Sequence, residues 1–210
     1  MINENPIGLF DSGIGGTSIW KEVHALMPYE NTIYLADSKN APYGLKSKDE
    51  IIALSCKNTE FLLENNCKII VVACNTATTN AIKELRAKYD VPFIGIEPAI
   101  KPAALQSKTQ TIGILATKGT LNSELFHKNV ANHPDVTIIE QIGHGLVQLI
   151  ENGDMDSAEM EELLKSYLNP MVEKNIDYLV LGCSHYPYLI PQIKKIIPSQ
   201  IKIIDSGEAV

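Results

Sequence analysis

Two apolar runs, each ended abruptly by a cysteine and small polar residues, constrain most strongly what this chain can fold into. Residues 69–73 run into Cys74, and residues 178–182 run into Cys183. Continuous runs of this kind predict strands that are buried on both faces, as in the parallel sheets of α/β proteins. Ligands bind beyond the carboxyl ends of such strands. The sequence therefore predicts an α/β fold and one site with a sulfur on each side.

Strand and helix patterns alternate along the whole chain and form two halves of similar order. Each half opens on a short apolar strand followed by a hydroxyl-bearing loop, and each later presents a cysteine-ended strand. We therefore predict two pseudo-symmetric α/β domains with mainly parallel sheets, residues 1–98 and 99–204, and an active site in the cleft between them. The prolines within residues 97–102 are interpreted as an interruption of regular structure at the crossover.

The net charge limits the classes of binding partner, and the cysteines indicate the cellular compartment. The formal net charge of −7 argues against a general binder of nucleic acid or of anionic membranes. No apolar stretch reaches the length of a membrane span, and the polar residues 1–6 show no signal peptide. The four cysteines show neither a CxxC pair nor metal-ligand spacing, so we expect no metal site, free thiols and a cytoplasmic protein. Cys56 and Cys67 are interpreted as small core residues.

Two loops offer polar groups beyond strand ends. The loop after the first strand begins with Asp11 and Ser12 and is rich in glycine, which suits a carboxylate- or phosphate-holding loop with Asp11 as an acid/base or orienting group. An ordinary capped turn is the alternative. Tyr43 and Gly44 lie in a second loop, where the tyrosine hydroxyl is a candidate donor to a substrate or the ring is simply packed.

Three further residues have local settings that bear on their roles. His185, beside Cys183, suits either a packing role or a role in keeping the neighbouring sulfur protonated. His144, between two glycines, is interpreted as a loop residue. Glu151, on the helix that follows, is interpreted locally as a solvated carboxylate.

Two facing cysteines suggest a specific chemistry. A helix N-terminus stabilises a thiolate, and both Cys74 and Cys183 precede helical segments. One thiolate and one thiol on opposite faces of a carbon acid remove and return a proton, which inverts a stereocentre without a cofactor. Stabilisation of the developing carbanion must supply much of the barrier lowering.

At this point five motifs, in order along essentially the whole chain, resemble the glutamate racemase family. They are DSGIGG (11–16), PYG (42–44), ACNTAT (73–78), EPA (97–99) and GCSHYP (182–187). The resemblance implies cofactor-independent interconversion of L- and D-glutamate, which supplies D-glutamate for peptidoglycan. It also implies a homodimer.

The resemblance assigns roles to residues as well. Cys74 would act on D-glutamate and Cys183 on L-glutamate, with Asp11 and His185 as assisting groups and Glu151 as a further candidate. The implied substrate contacts are Asp11, Ser12, Tyr43, Gly44, Asn75, Thr76, Ser184 and His185.

The chain departs from the family in three places. Ser184 stands where threonine is more common, and residues 143–145 stand where the family carries Pro- and Phe-containing sequence. Family members also continue past residues 205–207. Residues 205–210 and such a continuation are expected to rejoin the first domain and close its sheet.

Three other functions were considered. An aspartate or hydantoin racemase of the same superfamily is the nearest alternative, since spacing does not select the substrate. A non-catalytic amino-acid-binding relative is disfavoured because both cysteines are present, and a thiol redox protein is disfavoured because no CxxC exists.

Overall fold

The computed structural model describes residues 4–207, in which strands and helices alternate as the sequence predicts. The strands are β1 (Ile7–Asp11), β2 (Thr32–Ala36), β3 (Ile69–Val72), β4 (Phe93–Gly95), β5 (Thr111–Ala116), β6 (Thr137–Ile142), β7 (Tyr178–Gly182) and β8 (Lys202–Asp205). The helices are α1 (Thr17–Leu26), α2 (Lys48–Glu64), α3 (Asn75–Lys88), α4 (Ile100–Gln106), α5 (Lys118–Leu121), α6 (Glu124–Ala131), α7 (Leu146–Asn152), α8 (Ala158–Glu173) and α9 (Ile190–Ile196). Short 3₁₀ turns occupy Ser38–Asn40, Tyr43–Leu45 and Tyr186–Leu189.

The strands form two four-stranded sheets with the same internal order. The first sheet runs β2-β1-β3-β4 and the second β6-β5-β7-β8, and every pairing is parallel. The predicted α/β class with two matching parallel sheets is confirmed. In each sheet the cysteine follows the third strand in this order, β3 or β7, so the two thiols occupy equivalent positions.

Each sheet is covered on both faces, which explains why the middle portions of its central strands are apolar. In the first sheet, Leu9 and Val71 pack on one face with Ile19 of α1, whereas Phe10 and Val72 belong to the cluster on the other face. Successive side chains of a strand point to opposite faces. A strand covered on both faces therefore needs an unbroken apolar run, the pattern from which it was predicted.

The helix after Cys74 begins earlier than its residues suggest. The residues from Asn80 onward favour helix, whereas those before it are mostly threonine, yet α3 starts at Asn75, with Cys74 as its N-cap. Threonine has a modest helix propensity because its hydroxyl competes for backbone groups. Here Thr78 donates to the carbonyl of Val72, at the end of β3, at 3.1 Å, and Thr79 donates to the Asn75 carbonyl in the first turn of α3 at 3.0 Å, so both hydroxyls are satisfied without breaking the helix.

The crossover between the halves also differs from the expectation. The prolines were expected to interrupt regular structure throughout residues 97–102, but α4 begins at Ile100 and contains Pro102. Proline is tolerated in the first turn of a helix because the N–H it lacks has no partner within the helix there.

Residues 208–210, part of the segment expected to rejoin the first domain, lie outside the described residues. In the part of the chain that is described, no helix combines the length and the apolar character that crossing a membrane requires. The domain boundary at residue 98 stays a prediction.

Candidate active site

The two strand-end cysteines lie on one small cavity between the sheets. Cys74 and Cys183 are both buried and free, and both contribute to its wall. Other predicted site residues that line this cavity are Ser12, Tyr43, Gly44, Asn75, Thr76, Ser184 and His185. The cavity has a volume of about 10 Å³, roughly the room that one water molecule needs. A ligand larger than water therefore requires the walls to move apart.

Cys74 is held at the start of α3 in an apolar setting. The Ala77 amide donates to its Sγ at 3.5 Å, and the thiol donates to the Ser12 hydroxyl at 3.9 Å. Burial, together with the nearby charge of Asp11, raises the pKa of Cys74 above that of a free thiol. The closed cavity consequently favours the protonated thiol at this position.

Cys183 has a different neighbour, an imidazole. The Nδ1 atom of His185 lies 3.8 Å from the Cys183 Sγ, and the Nε2 atom lies 2.5 Å from Oε1 of Glu151. Burial alone would lower the pKa of His185, but its contacts with Cys183 and Glu151 and the charge of Asp11 raise it well above the usual value. The Gly15 amide lies 3.3 Å from Nε2. Because an imidazolium has no free lone pair, we interpret this approach as packing and the Glu151 contact as the hydrogen bond.

Glu151 is not the solvated carboxylate that its local sequence indicated. Its Oε1 accepts a hydrogen bond from the Ile14 amide at 2.7 Å, and its side chain is 16% exposed. Burial opposes ionisation, but the contacts with His185 and Ile14 outweigh it and lower the pKa of Glu151. The interpretation was wrong because the partners come from distant parts of the chain.

Asp11 is the last residue of β1 and lies behind the residues that line the cavity. Its carboxylate links the two halves of the molecule. One carboxylate oxygen accepts from the Gly13 amide at 2.8 Å, and the other accepts from the Ser184 hydroxyl at 2.8 Å. Its complete burial raises the pKa of Asp11, although His185 and both hydrogen bonds act in the opposite direction. An aspartate in this position is therefore coupled to the ionisation of His185.

The glycines of the first loop are required by close approach. A Cβ atom at Gly13 would lie 1.8 Å from Oε1 of Glu151, and one at Gly15 would lie 2.2 Å from Nδ1 of His185. Larger residues would hold the loop away from both side chains. The loop thus docks the first half directly onto the assisting groups of the second.

Tyr43 lines the cavity, but its hydroxyl is directed elsewhere. The hydroxyl donates to Asp37 at 2.5 Å and accepts from the Asn58 amide at 3.0 Å. The suggestion that this hydroxyl donates to a substrate is therefore wrong for this conformation. The ring and backbone of Tyr43 remain beside Gly44 in the wall.

Pro42, Thr117 and Val147 also line the cavity but were not among the predicted site residues. The Thr117 hydroxyl lies 2.8 Å from the Thr76 hydroxyl, so the two halves meet there through side chains. A signal for Thr117 exists: it opens the loop after β5, the counterpart of the loop after β1. Pro42 carried a weaker signal beside Tyr43, and Val147 carried none.

Among residues 4–207, no three His, Cys, Asp or Glu side chains converge closely enough to hold a metal ion.

Comparison with known proteins agrees with this geometry. The family described as Asp/Glu/Hydantoin racemase matches residues 17–210. A glutamate racemase of Ralstonia pickettii is 47% identical over 206 residues, which cover 98% of this chain and 73% of that protein.

Two solved structures extend the comparison. The Escherichia coli glutamate racemase in complex with L-glutamate superposes with a TM-score of 0.89 at 35% identity, covering 98% of this chain and 79% of that one. The Francisella tularensis enzyme in complex with D-glutamate has a TM-score of 0.84 at 32% identity, with 98% and 77% covered. The chain therefore belongs to the Asp/Glu/Hydantoin racemase family and, within it, to the glutamate racemases.

Proposed function

We propose that this protein interconverts L- and D-glutamate by proton transfer at the α-carbon, without a cofactor, and so supplies D-glutamate for peptidoglycan. The observation that carries the proposal is the placement of Cys74 and Cys183 on one cavity, each beyond the end of an equivalent strand. Relatives with the same fold bind L-glutamate in one case and D-glutamate in another. A substrate carbon between the two sulfurs would present one face to each.

The proposed reaction is a two-base transfer. The thiolate of one cysteine takes the α-proton, and the thiol of the other delivers a proton to the opposite face, so that the stereocentre is inverted. Cys74 acts on D-glutamate and Cys183 on L-glutamate. After one turnover the protonation states of the two sulfurs are exchanged, and the reverse reaction starts from that state.

The neighbours of the sulfurs would tune this transfer. His185 lies within reach of Cys183 and pairs with Glu151, so it is suited to hold or return the proton on that side. Asp11 lies near Cys74 and favours its protonated form. Asp11 and His185 are therefore the proposed assisting groups, with Glu151 orienting the imidazole.

Substrate binding is proposed to rest on neutral groups. Ser12, Thr76 and Ser184, which carry hydroxyl groups, and Asn75, which carries an amide, line the cavity together with Tyr43 and Gly44. Among the residues that line this cavity there is neither arginine nor lysine. Hydroxyl and N–H donors can hold the substrate carboxylates and leave the α-proton accessible to the thiolate.

Three further proposals follow from the same assignment. A cytoplasmic location suits a mechanism that needs reduced thiols. A homodimer and the division into domains at residue 98, with the chain after residue 204 returning to the first domain, are proposed from the resemblance. Ser206 contacts the Glu97 carbonyl, which is consistent with that return.

The test is proton NMR in D₂O with L-glutamate and, separately, with D-glutamate. The α-proton signal should disappear while the optical rotation decays to zero from either enantiomer. Cys74→Ala and Cys183→Ser should each lose inversion. Cys56→Ser is the matched control, because Cys56 lies on α2 outside the cavity lining, and it should keep full activity.

The outcomes separate the alternatives. Inversion of aspartate in preference to glutamate would reassign the substrate while keeping the mechanism. A folded protein that binds glutamate but exchanges no α-proton would be a non-catalytic relative, and the proposal would be abandoned.

A further inference from the structure

In the side-chain amide of Asn75, at the start of α3, the Nδ2 atom has hydrogen-bond partners among the described residues and the Oδ1 atom has none. Its Nδ2 donates to the Ile96 carbonyl at 3.3 Å and to the Ser206 hydroxyl oxygen at 3.1 Å. Its Oδ1 is buried and accepts no hydrogen bond from the described residues. Asn75 is only 2% exposed, and it lines the cavity between the two cysteines. An unpaired buried acceptor at this place calls for a donor that arrives with a ligand.

The hydroxyl of Ser206 determines which way the amide points. Ser206 donates its single proton to the Glu97 carbonyl at 2.7 Å. The oxygen of Ser206 must therefore act as an acceptor toward Asn75. The other neighbour on this side, the Ile96 carbonyl, is also an acceptor. A flipped amide would set Oδ1 against two acceptors, so Nδ2 is held on this side and Oδ1 is left without a partner in a residue of the cavity wall.

We infer that Ser206 is a positioning residue for the substrate ammonium group: it orients the Asn75 amide so that Oδ1 accepts from that group. This inference rests on the proposed function, because the α-ammonium is the charged donor that glutamate brings to the cavity. Ser206 follows β8 of the second sheet, whereas Asn75 follows β3 of the first. Through this contact, a residue of the second half orients a substrate-binding side chain of the first half.

A purely structural role for Ser206 predicts something different. Its bond to the Glu97 carbonyl would then serve only to hold the end of β8 against the crossover. Loss of the hydroxyl would lower stability but would affect ligands with and without an ammonium group alike.

The kinetic test compares Ser206→Ala with Ser206→Thr. Ser206→Ala removes the bond to the Glu97 carbonyl and the neutral bond that orients Asn75, and the loss of the second should raise KM for glutamate about fivefold, with kcat changed by less than about twofold. Ser206→Thr keeps the hydroxyl and should restore KM. The inhibition constant of glutarate, which has both carboxylates but no ammonium, should stay unchanged. An equal weakening of glutarate and glutamate would overturn the inference.

A double-mutant cycle isolates the coupling. Asn75→Ala removes the oriented acceptor, so adding Ser206→Ala in that background should change KM by less than about 1.5-fold. The same fivefold effect in both backgrounds would show that Ser206 acts independently of Asn75, and the inference would fail. Ser166→Ala, on an exposed hydroxyl of α8, is the control for serine removal as such.

An experiment without substrate tests the positioning role of Ser206 separately from the proposed function. In the unliganded protein labelled with ¹⁵N, the Asn75 side-chain amide protons should exchange slowly with solvent, and exchange should accelerate in Ser206→Ala but not in Ser206→Thr. Slow exchange that does not depend on Ser206 would refute the positioning role even if racemisation is observed. Slow exchange that does depend on it, in a protein without racemase activity, would support the orientation and refute the proposed function alone.

Discussion

Gly15 lies directly against the His185 ring, and a single methyl group there tests whether the two halves must dock this closely. A Cβ atom at Gly15 would lie 2.2 Å from Nδ1, 2.5 Å from Cγ and 2.6 Å from Cε1 of His185. Ordinary van der Waals contact begins at 3.4 Å, so the loop and the ring must separate by roughly 1 Å. The ring is 1% exposed and in contact with Cys183 and Glu151, so a rotation away from the methyl group would disturb both contacts.

The size of the effect follows from this geometry. Overpacking of a tight contact costs about 1–3 kcal/mol. For a chain of this length each kcal/mol lowers Tm by about 2–4 °C. A displacement of roughly 1 Å at an acid/base group lowers the rate by about 100-fold. Gly15→Ala should therefore lose several degrees of stability and most of its racemase activity.

The assay measures kcat in both directions by polarimetry and Tm by calorimetry. Gly15→Ala should lower Tm far less when it is introduced into His185→Ala than when it is introduced into the parent protein. In the double variant there is no imidazole ring for the methyl group to meet. Gly13→Ala serves as a comparison, since the atoms it meets form the flexible end of Glu151 and can move aside more cheaply. If Gly15→Ala keeps its Tm and retains kcat within about twofold, the argument from close docking is wrong.

Three further predictions concern ionisation. The raised pKa of His185 means that its protonated form stabilises the fold at low pH and that this stability is lost as pH rises through the folded-state pKa. Glu151→Gln should lower that pKa, which NMR titration of the His185 ring protons measures; an unchanged value would contradict the assigned contact. The raised pKa of Asp11 means that its ionised form opposes folding increasingly as pH rises through that pKa, so Asp11→Asn should keep or raise Tm at neutral pH while lowering kcat at least about tenfold. A clear drop in the Tm of Asp11→Asn at neutral pH would show that the ionised carboxylate does not oppose folding. Turnover should follow a bell-shaped pH profile because one thiolate and one thiol are needed together, and a profile that is flat between about pH 6 and 10 would exclude the two-thiol mechanism.

Much of the fold was predictable because the signal is local. A strand covered by helices on both faces must be apolar along its whole length, and β3 and β7 show such runs up to the cysteine that follows. The errors arose where the first turn of a helix accommodates residues with a weak local preference for helix. The Thr78 hydroxyl is satisfied by the end of β3 and the Thr79 hydroxyl by the first turn of α3, so this helix can begin at Asn75, and first-turn placement lets α4 contain Pro102.

The residues of the site were less predictable than the fold. The cysteines were found from their positions after strands, and Thr117 had a comparable signal as the counterpart of the Asp11 loop. Glu151 was misjudged locally, and the two alternatives for Tyr43 stayed open, because their hydrogen-bond partners lie on other elements. The pattern of a short segment shows which groups are present but not the direction in which each one points.

The amino-acid sequence by itself determined the two matching α/β halves and the placement of one thiol at the end of a central strand in each. Only the tertiary structure decided which groups meet across the cleft. Ile14 and Glu151 are 137 residues apart in the chain, and Asp11 and Ser184 are 173 apart, yet each pair is joined by a hydrogen bond. Burial and the charges of neighbouring groups, which exist only after the halves have docked, then shift the pKa values of Asp11 and His185. Periodicity reports the environment of a segment, whereas protonation depends on atoms that folding brings within a few ångströms.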